Sequence, residues 1–167
     1  MATGPVIEDK TFLEFHDNDI IVRSWKVEDL PTVLVLCKKF AVTQNMPTKF
    51  MTTKKLAEDG FGEHPWFHSW LAETTTSGEP ITIGFAMVSL SWDMCRGLVL
   101  EGLYTDENWR KKGVARKLVK AVAEFALENS CKYIKWMSLK DNDNANSFYN
   151  KIAKLYGPVN ECYVKVT

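Results

Sequence analysis

GLVLEGLYTDENWRKKGVARKLVKAVAEFA (97–126) decides the fold. Its first nine residues are rich in Leu, Val and Tyr and read as a strand. From Gly113 onward, Ala115, Leu118, Val119, Val122, Phe125 and Ala126 recur at helical spacing, with Arg116, Lys117, Lys120, Glu124 and Glu128 on the other face. Between strand and helix, five of the eight residues 110–117 are basic and surround one glycine. The chain as a whole is balanced, with 21 Lys plus Arg against 21 Asp plus Glu.

A strand that turns into a helix start is a natural anion cradle. The first N–H groups of a helix lack internal partners, and the macrodipole adds partial positive charge there. Gly113 lets the backbone approach a phosphate closely, and Arg110, Lys111, Lys112 and Arg116 add full charges. A pyrophosphate fits such a site. The stretch has neither the spacing of a P-loop nor the three glycines of a dinucleotide fingerprint. On charge alone, a solvated basic helix start stands as the alternative.

Working outward, DIIVRSW (19–25) reads as a strand, followed by an amphipathic helix from near Val27 with Pro31 in its opening turn. MTTKKLAEDG (51–60) reads as a short helix. WFHSWLAE (66–73) and ITIGFAMVSLSW (81–92) read as strands joined by the turn formers TTTSGEP. After the central helix come a strand YIKWMSL (133–139), N-cap candidates in DNDN, a helix from about 145 to 155, and a last strand CYVKV. Residues 1–18 read as an irregular arm, and 19–167 as one mixed α/β domain.

Composition narrows the function. At 167 residues, 46% hydrophobic and 25% charged, the chain resembles ordinary soluble domains. Charge balance speaks against a general nucleic-acid binder. No run approaches the roughly 18 apolar residues of a membrane helix, and the start lacks the apolar core of a secretory signal. Cys37, Cys95, Cys131 and Cys162 are scattered, which suits reduced thiols better than a disulfide frame or a metal site. A cytoplasmic protein without nucleic-acid or membrane partners is expected.

RKKGVA (110–115) matches the [QR]-x-x-G-x-[GA] motif of the GNAT acetyltransferases, in its place between strand and helix. LAEDGFGEHPWFHSWLAE (56–73) and ITIGFAM are similar to segments of the spermidine/spermine (diamine) and thialysine acetyltransferases within that superfamily. Asn142, Ala145, Phe148 and Tyr149 match a second cofactor motif. The resemblance runs from about residue 20 nearly to the end. It implies a GNAT fold, with a mixed central sheet of about six to seven strands flanked by about four helices. It implies acetyl-CoA as co-substrate, no metal, a small-molecule amine as acceptor, and a homodimer. It implies that the backbone of Leu103, Tyr104 and Thr105 pairs with the pantetheine arm. By the same resemblance, Arg110, Lys111, Lys112, Gly113, Val114, Ala115 and Arg116 hold the pyrophosphate, and Asn142, Ala145 and Tyr149 lie along the cofactor.

The same resemblance assigns catalysis. An alkylamine must lose a proton before it attacks a thioester, and Glu101 sits where a carboxylate removes it. Tyr149 sits where a hydroxyl protonates the leaving thiolate. By pattern alone Tyr149 also suits a core position, and Glu101 a solvent-facing strand position. One departure concerns the acceptor. Between Cys37 and Ala57 there are five lysines and no acid, and Gly102 follows Glu101 where polyamine enzymes carry aspartate. A monoamine, short diamine or aminoalkyl amino acid therefore suits the chain better than spermine, and Trp66, Trp70, Trp92 and Trp136 are candidates for an aromatic wall. Two rivals stand beside this: a protein N-terminal or lysine acetyltransferase, and a CoA-binding module that has lost catalysis.

Overall fold

The sheet is built outward from one long antiparallel meander. In the computed structural model, which describes residues 19–153 except Ser77, five strands lie in the order β1-β2-β3-β4-β5. β1 (Ile20–Ser24), β2 (His68–Thr74), β3 (Ile81–Trp92) and β4 (Arg96–Thr105) pair antiparallel in sequence. β5 (Ile134–Lys135) joins β4 in parallel after the crossover helix α3 (Val114–Glu128). On the way lie α1 (Leu30–Thr43) and α2 (Thr53–Phe61), and α4 (Asp143–Tyr149) follows β5.

Each face of the sheet buries a different helix set. On one face Ile83, Val88, Leu98 and Leu100 pack against Val114, Leu118 and Val122 of α3. On the other, Leu71, Phe85 and Tyr104 pack against Trp25, Leu30, Val33 and Leu36. Leu118 and Val122 are wholly buried, so each contributes about 1.5–3 kcal/mol of apolar transfer. The period-2 and period-3.6 patterns thus meet at one layered core.

A one-residue bulge interrupts β4. Met87 lies opposite Gly102 and Val88 opposite Leu100, so Glu101 is the extra residue. The bulge absorbs the extra residue, so the strand keeps its faces against β3 while the sequence positions that face each side shift by one. Leu98 and Leu100 face α3 before the bulge, Leu103 faces it after, and Tyr104 turns toward α1.

Several sequence expectations need correction. Five strands are described where six to seven were expected, and the CYVKV strand and the residue 1–18 arm lie outside the described residues. The expected strand 133–139 ladders only at Ile134 and Lys135, because the chain then swings away from β4. β2 starts at His68 because the Trp66 N–H donates to Asp59 O at 2.7 Å, which holds Trp66 outside the sheet. The helix expected from Val27 opens as a 3-10 turn, Val27–Asp29, before α1. α4 begins two residues before the expected Ala145 because Asn142 caps it, and it ends at Tyr149, short of the expected 155; residues from 154 on are not described. Cys37, Cys95 and Cys131 are free thiols, and burial pushes that of Cys37 up to about 12.

Candidate functional site

β4 and β5 part company after two paired positions. The ladder holds Leu98 to Ile134 and Val99 to Lys135, and among the described residues no strand continues along that edge of β4 toward Thr105. A slot of about 50 Å³ opens in the gap. β4 supplies Glu101 and Leu103 to it, and α4 supplies Asn142, Ala145 and Tyr149. Five of the residues singled out from sequence therefore converge. Phe40 of α1 and the C-cap residue Gln44, with Met137 and Ser138 after β5, also line it. Sequence reasoning missed these four; the departure of the chain from β4, which exposes the last two, has no local signal.

Glu101 stands exposed at the bulge, where Ser89 Oγ donates to its Oε1 at 2.5 Å. Tyr149 sits half-buried at the last turn of α4, its ring 5.1 Å from that of Trp136. Burial raises its phenol above the ordinary value, so it is a hydrogen-bond donor at neutral pH. Asn142 Oδ1 accepts the Ala145 N–H at 3.2 Å and so caps α4. Ser138 Oγ donates to Asn146 Oδ1, and Asn146 Nδ2 donates to Leu139 O at 2.9 Å, which fixes the loop on α4. The slot is thus walled by a short, well-tied helix.

The basic turn lies past the end of β4. Gly113 adopts φ 83° as the N-cap of α3, and Lys111 also has a positive φ, 62°. Lys117 N–H donates to Gly113 O at 3.1 Å; the N–H groups ahead of that first rung have no carbonyl within the helix. Lys112 Nζ rests 4.6 Å from the Trp109 ring centre, and Arg110 Nε reaches Thr105 O at 3.4 Å. Thr105 Oγ1 is buried with no hydrogen-bond partner among the described residues. Val114 is buried in the core and Tyr104 turns away to stack on Phe85, so only their backbones can meet a ligand at this edge.

The four tryptophans do not form one wall. Trp70 is core, Trp66 and Trp92 are 78% and 73% exposed, and only Trp136 adjoins the slot, through Tyr149. A larger hollow of about 430 Å³ lies between the Ser24 end of β1 and the later turns of α3, and none of the residues singled out from sequence as catalytic or cofactor-binding lines it. The smaller slot is the better candidate, since chemistry follows the convergence of groups and not the size of the opening. Among the described residues, no three His, Cys, Asp or Glu side chains gather to hold a metal ion, and no helix is long and apolar enough to cross a membrane.

Comparison with known proteins finds similarity in sequence and in fold. The sequence profile of the acetyltransferase (GNAT) family matches residues 37–153. Thialysine N-epsilon-acetyltransferase of Bos taurus is 28% identical over 140 residues, 80% of this chain and 82% of that protein. Spermidine/spermine N(1)-acetyltransferase-like protein 1 of Homo sapiens is 28% identical over 134 residues, which span 77% of this chain but 19% of that protein. In fold, the chain is similar to an aminoglycoside acetyltransferase from an uncultured soil metagenomic sample, with a TM-score of 0.71, 20% identity, and 90% and 99% of the two chains covered. It is likewise similar to AAC(6')-Iy in complex with a CoA bisubstrate analog, with a TM-score of 0.70, 18% identity, and 89% and 99% covered.

Proposed function

The chain belongs to the acetyltransferase (GNAT) family, and from that premise we propose that it transfers acetyl from acetyl-CoA to the primary amine of a small molecule. The observation that carries this proposal is the meeting of Glu101 and Tyr149 in one slot beside an unladdered strand edge.

Acetyl-CoA fits the groups around that slot. Among the described residues no strand pairs with β4 along this edge at Leu103, Tyr104 and Thr105, which leaves backbone groups there for an extended arm that carries amides. Thr105 Oγ1 has no hydrogen-bond partner there among the described residues. The turn holding Arg110, Lys111, Lys112, Gly113, Ala115 and Arg116 offers helix-start donors and cations to a pyrophosphate. Asn142 and Ala145 line the far wall.

Acetyl-CoA supplies an acyl group already activated as a thioester. The protein's share is to seat the amine and move protons. An alkylamine is protonated at neutral pH, and Glu101 takes that proton, directly or through one water, which frees the lone pair for attack. Backbone N–H groups near Leu103 steady the negative charge that gathers on the carbonyl oxygen. Tyr149 donates its hydroxyl proton to the sulfur as the carbon–sulfur bond breaks. Its buried phenol stays protonated until then. The extra proton left on the attacking nitrogen passes through water to the phenolate, which yields the neutral amide and restores the acid. Both substrates are held together, and no acyl-enzyme forms. The proposal extends to a cytoplasmic homodimer, as in the resembled enzymes, which sedimentation and cell fractionation would check.

Tyr149→Phe tests the assignment. With saturating acetyl-CoA, kcat should fall about a hundredfold while the KM for acetyl-CoA stays within about twofold. Full turnover in that variant would remove Tyr149 as the acid. Tight CoA binding without turnover of any amine or basic peptide would make the chain a binding module.

A further inference from the structure

The acceptor side of the slot shows a selectivity that rests on the acetyltransferase reading above. Glu101 is the one carboxylate among the described residues that line the slot, and no described lining residue is basic. One of its oxygens already accepts from Ser89. The next carboxylate past the end of β4, Asp106, is occupied, since Lys39 Nζ lies 3.2 Å from its Oδ2 and the Asn108 N–H donates to its Oδ1 at 3.2 Å. Burial opposes charge on Asp106, but those bonds outweigh it and hold its carboxyl below the ordinary range.

Beside Glu101 the wall is aromatic. Phe40 stands edge-on to Phe85, with ring centres 5.8 Å apart. Both rings close over Gly102: a Cβ built there would come 3.0 Å from Phe85 Cε2 and 3.5 Å from Phe40 Cε1. The bare backbone at 102 is therefore what allows the aromatic cover, and a second acid at that position would have to displace it. An ammonium pressed against this wall would lose water without gaining a carboxylate. The cation–π contact that Phe40 could offer is of the weaker, exposed kind.

We propose that the slot selects a monocationic amine, with one primary ammonium facing Glu101 and an uncharged, apolar remainder lying against Phe40 over Gly102. Phe40 is then the specificity-determining residue, and a second ammonium on the acceptor is selected against.

Matched pairs of acceptors test this: butylamine against putrescine, and hexylamine against hexamethylenediamine, each with acetyl-CoA. In the wild type, kcat/KM should favour the monoamine of each pair about tenfold. Phe40→Ala should lower the monoamine values about tenfold and leave the diamine values within about twofold, so the preference collapses. CoA affinity and Tm report whether the variant is folded. Phe40→Leu, which keeps an apolar cover, should retain the preference and serves if the alanine variant fails to fold. A wild-type preference for diamines, equal values within each pair, or an equal loss in Phe40→Ala for both acceptors would overturn the selectivity and leave the acetyltransferase reading standing. Turnover with neither class of amine would remove that reading and the selectivity together.

Discussion

Replacing Gly84 with alanine perturbs the contact that joins the sheet to the basic turn. A Cβ at Gly84 would lie 2.6 Å from Tyr104 O, 3.1 Å from Val114 Cγ1 and 3.4 Å from Leu118 Cδ1. The first distance is to backbone, so no side-chain rotation relieves it. Either the end of β4 or the start of α3 must move by several tenths of an ångström. Both carry groups assigned above to acetyl-CoA. Overpacking of this kind costs about 1–3 kcal/mol, and at this chain length each kcal/mol lowers Tm by about 2–4 °C. Displacing the cradle should raise the KM for acetyl-CoA about tenfold. Gly78→Ala is the control. Its φ of 93° makes alanine unfavourable, by about 1–2 kcal/mol, yet a Cβ there meets nothing within 4 Å. That variant should lose stability and keep its KM. Thermal denaturation and initial rates against acetyl-CoA decide the matter. Wild-type Tm and KM in Gly84→Ala, or an equal rise of KM in Gly78→Ala, would refute the coupling of sheet and turn.

Two further outcomes concern stability. Arg23 donates to Asp29 at 2.7 and 2.9 Å and to Glu73 at 2.7 and 2.8 Å, and the two carboxylate side chains are 17% and 14% exposed. Arg23→Met should cost about 2–3 kcal/mol in urea denaturation, since it leaves two half-sheltered acids without their cation; a loss near zero would show that solvent screens the cluster fully. Burial against Phe125, 4.7 Å between ring centres, holds the His68 imidazole below its ordinary value. Below about 6.5 the unfolded chain takes up a proton that the folded ring resists, so stability is full above that pH and falls as pH drops toward the folded value. His68→Phe should flatten that decline in denaturation curves taken between pH 7.5 and 5, and an unchanged slope would clear His68 of responsibility.

The legible parts of the chain were those where one period dominated. α3 could be read because Leu118, Val122 and Ala126 bury one face while charged residues hold the other. Asn142 and the glycine turn could be read because capping and positive φ need particular residue types. β5 could not. Tyr133, Ile134, Trp136, Met137 and Leu139 have strand propensity throughout, yet Met137 and Ser138 line the slot with no facing strand among the described residues. Propensity records what a residue tolerates and not whether a neighbour is there. The bulge did leave a trace: Leu98, Leu100 and Leu103 break the two-residue rhythm by one. Phe40 was hidden for another reason, because its place over Gly102 depends on how α1 crosses the sheet.

The bulge also binds two properties to one position. A substitution at Glu101 alters only the chemistry, since the extra residue still fills its place in the strand. A deletion there would remove the carboxylate and the bulge together, yet it would leave Leu103 toward α3 and Tyr104 toward α1, since their partners Ala86 and Phe85 keep those faces. The two cores therefore do not depend on the extra residue, and what it adds is a carboxylate set outside the ladder. Sequences sharing this architecture without the chemistry of Glu101 should tolerate one residue fewer here, with both cores intact.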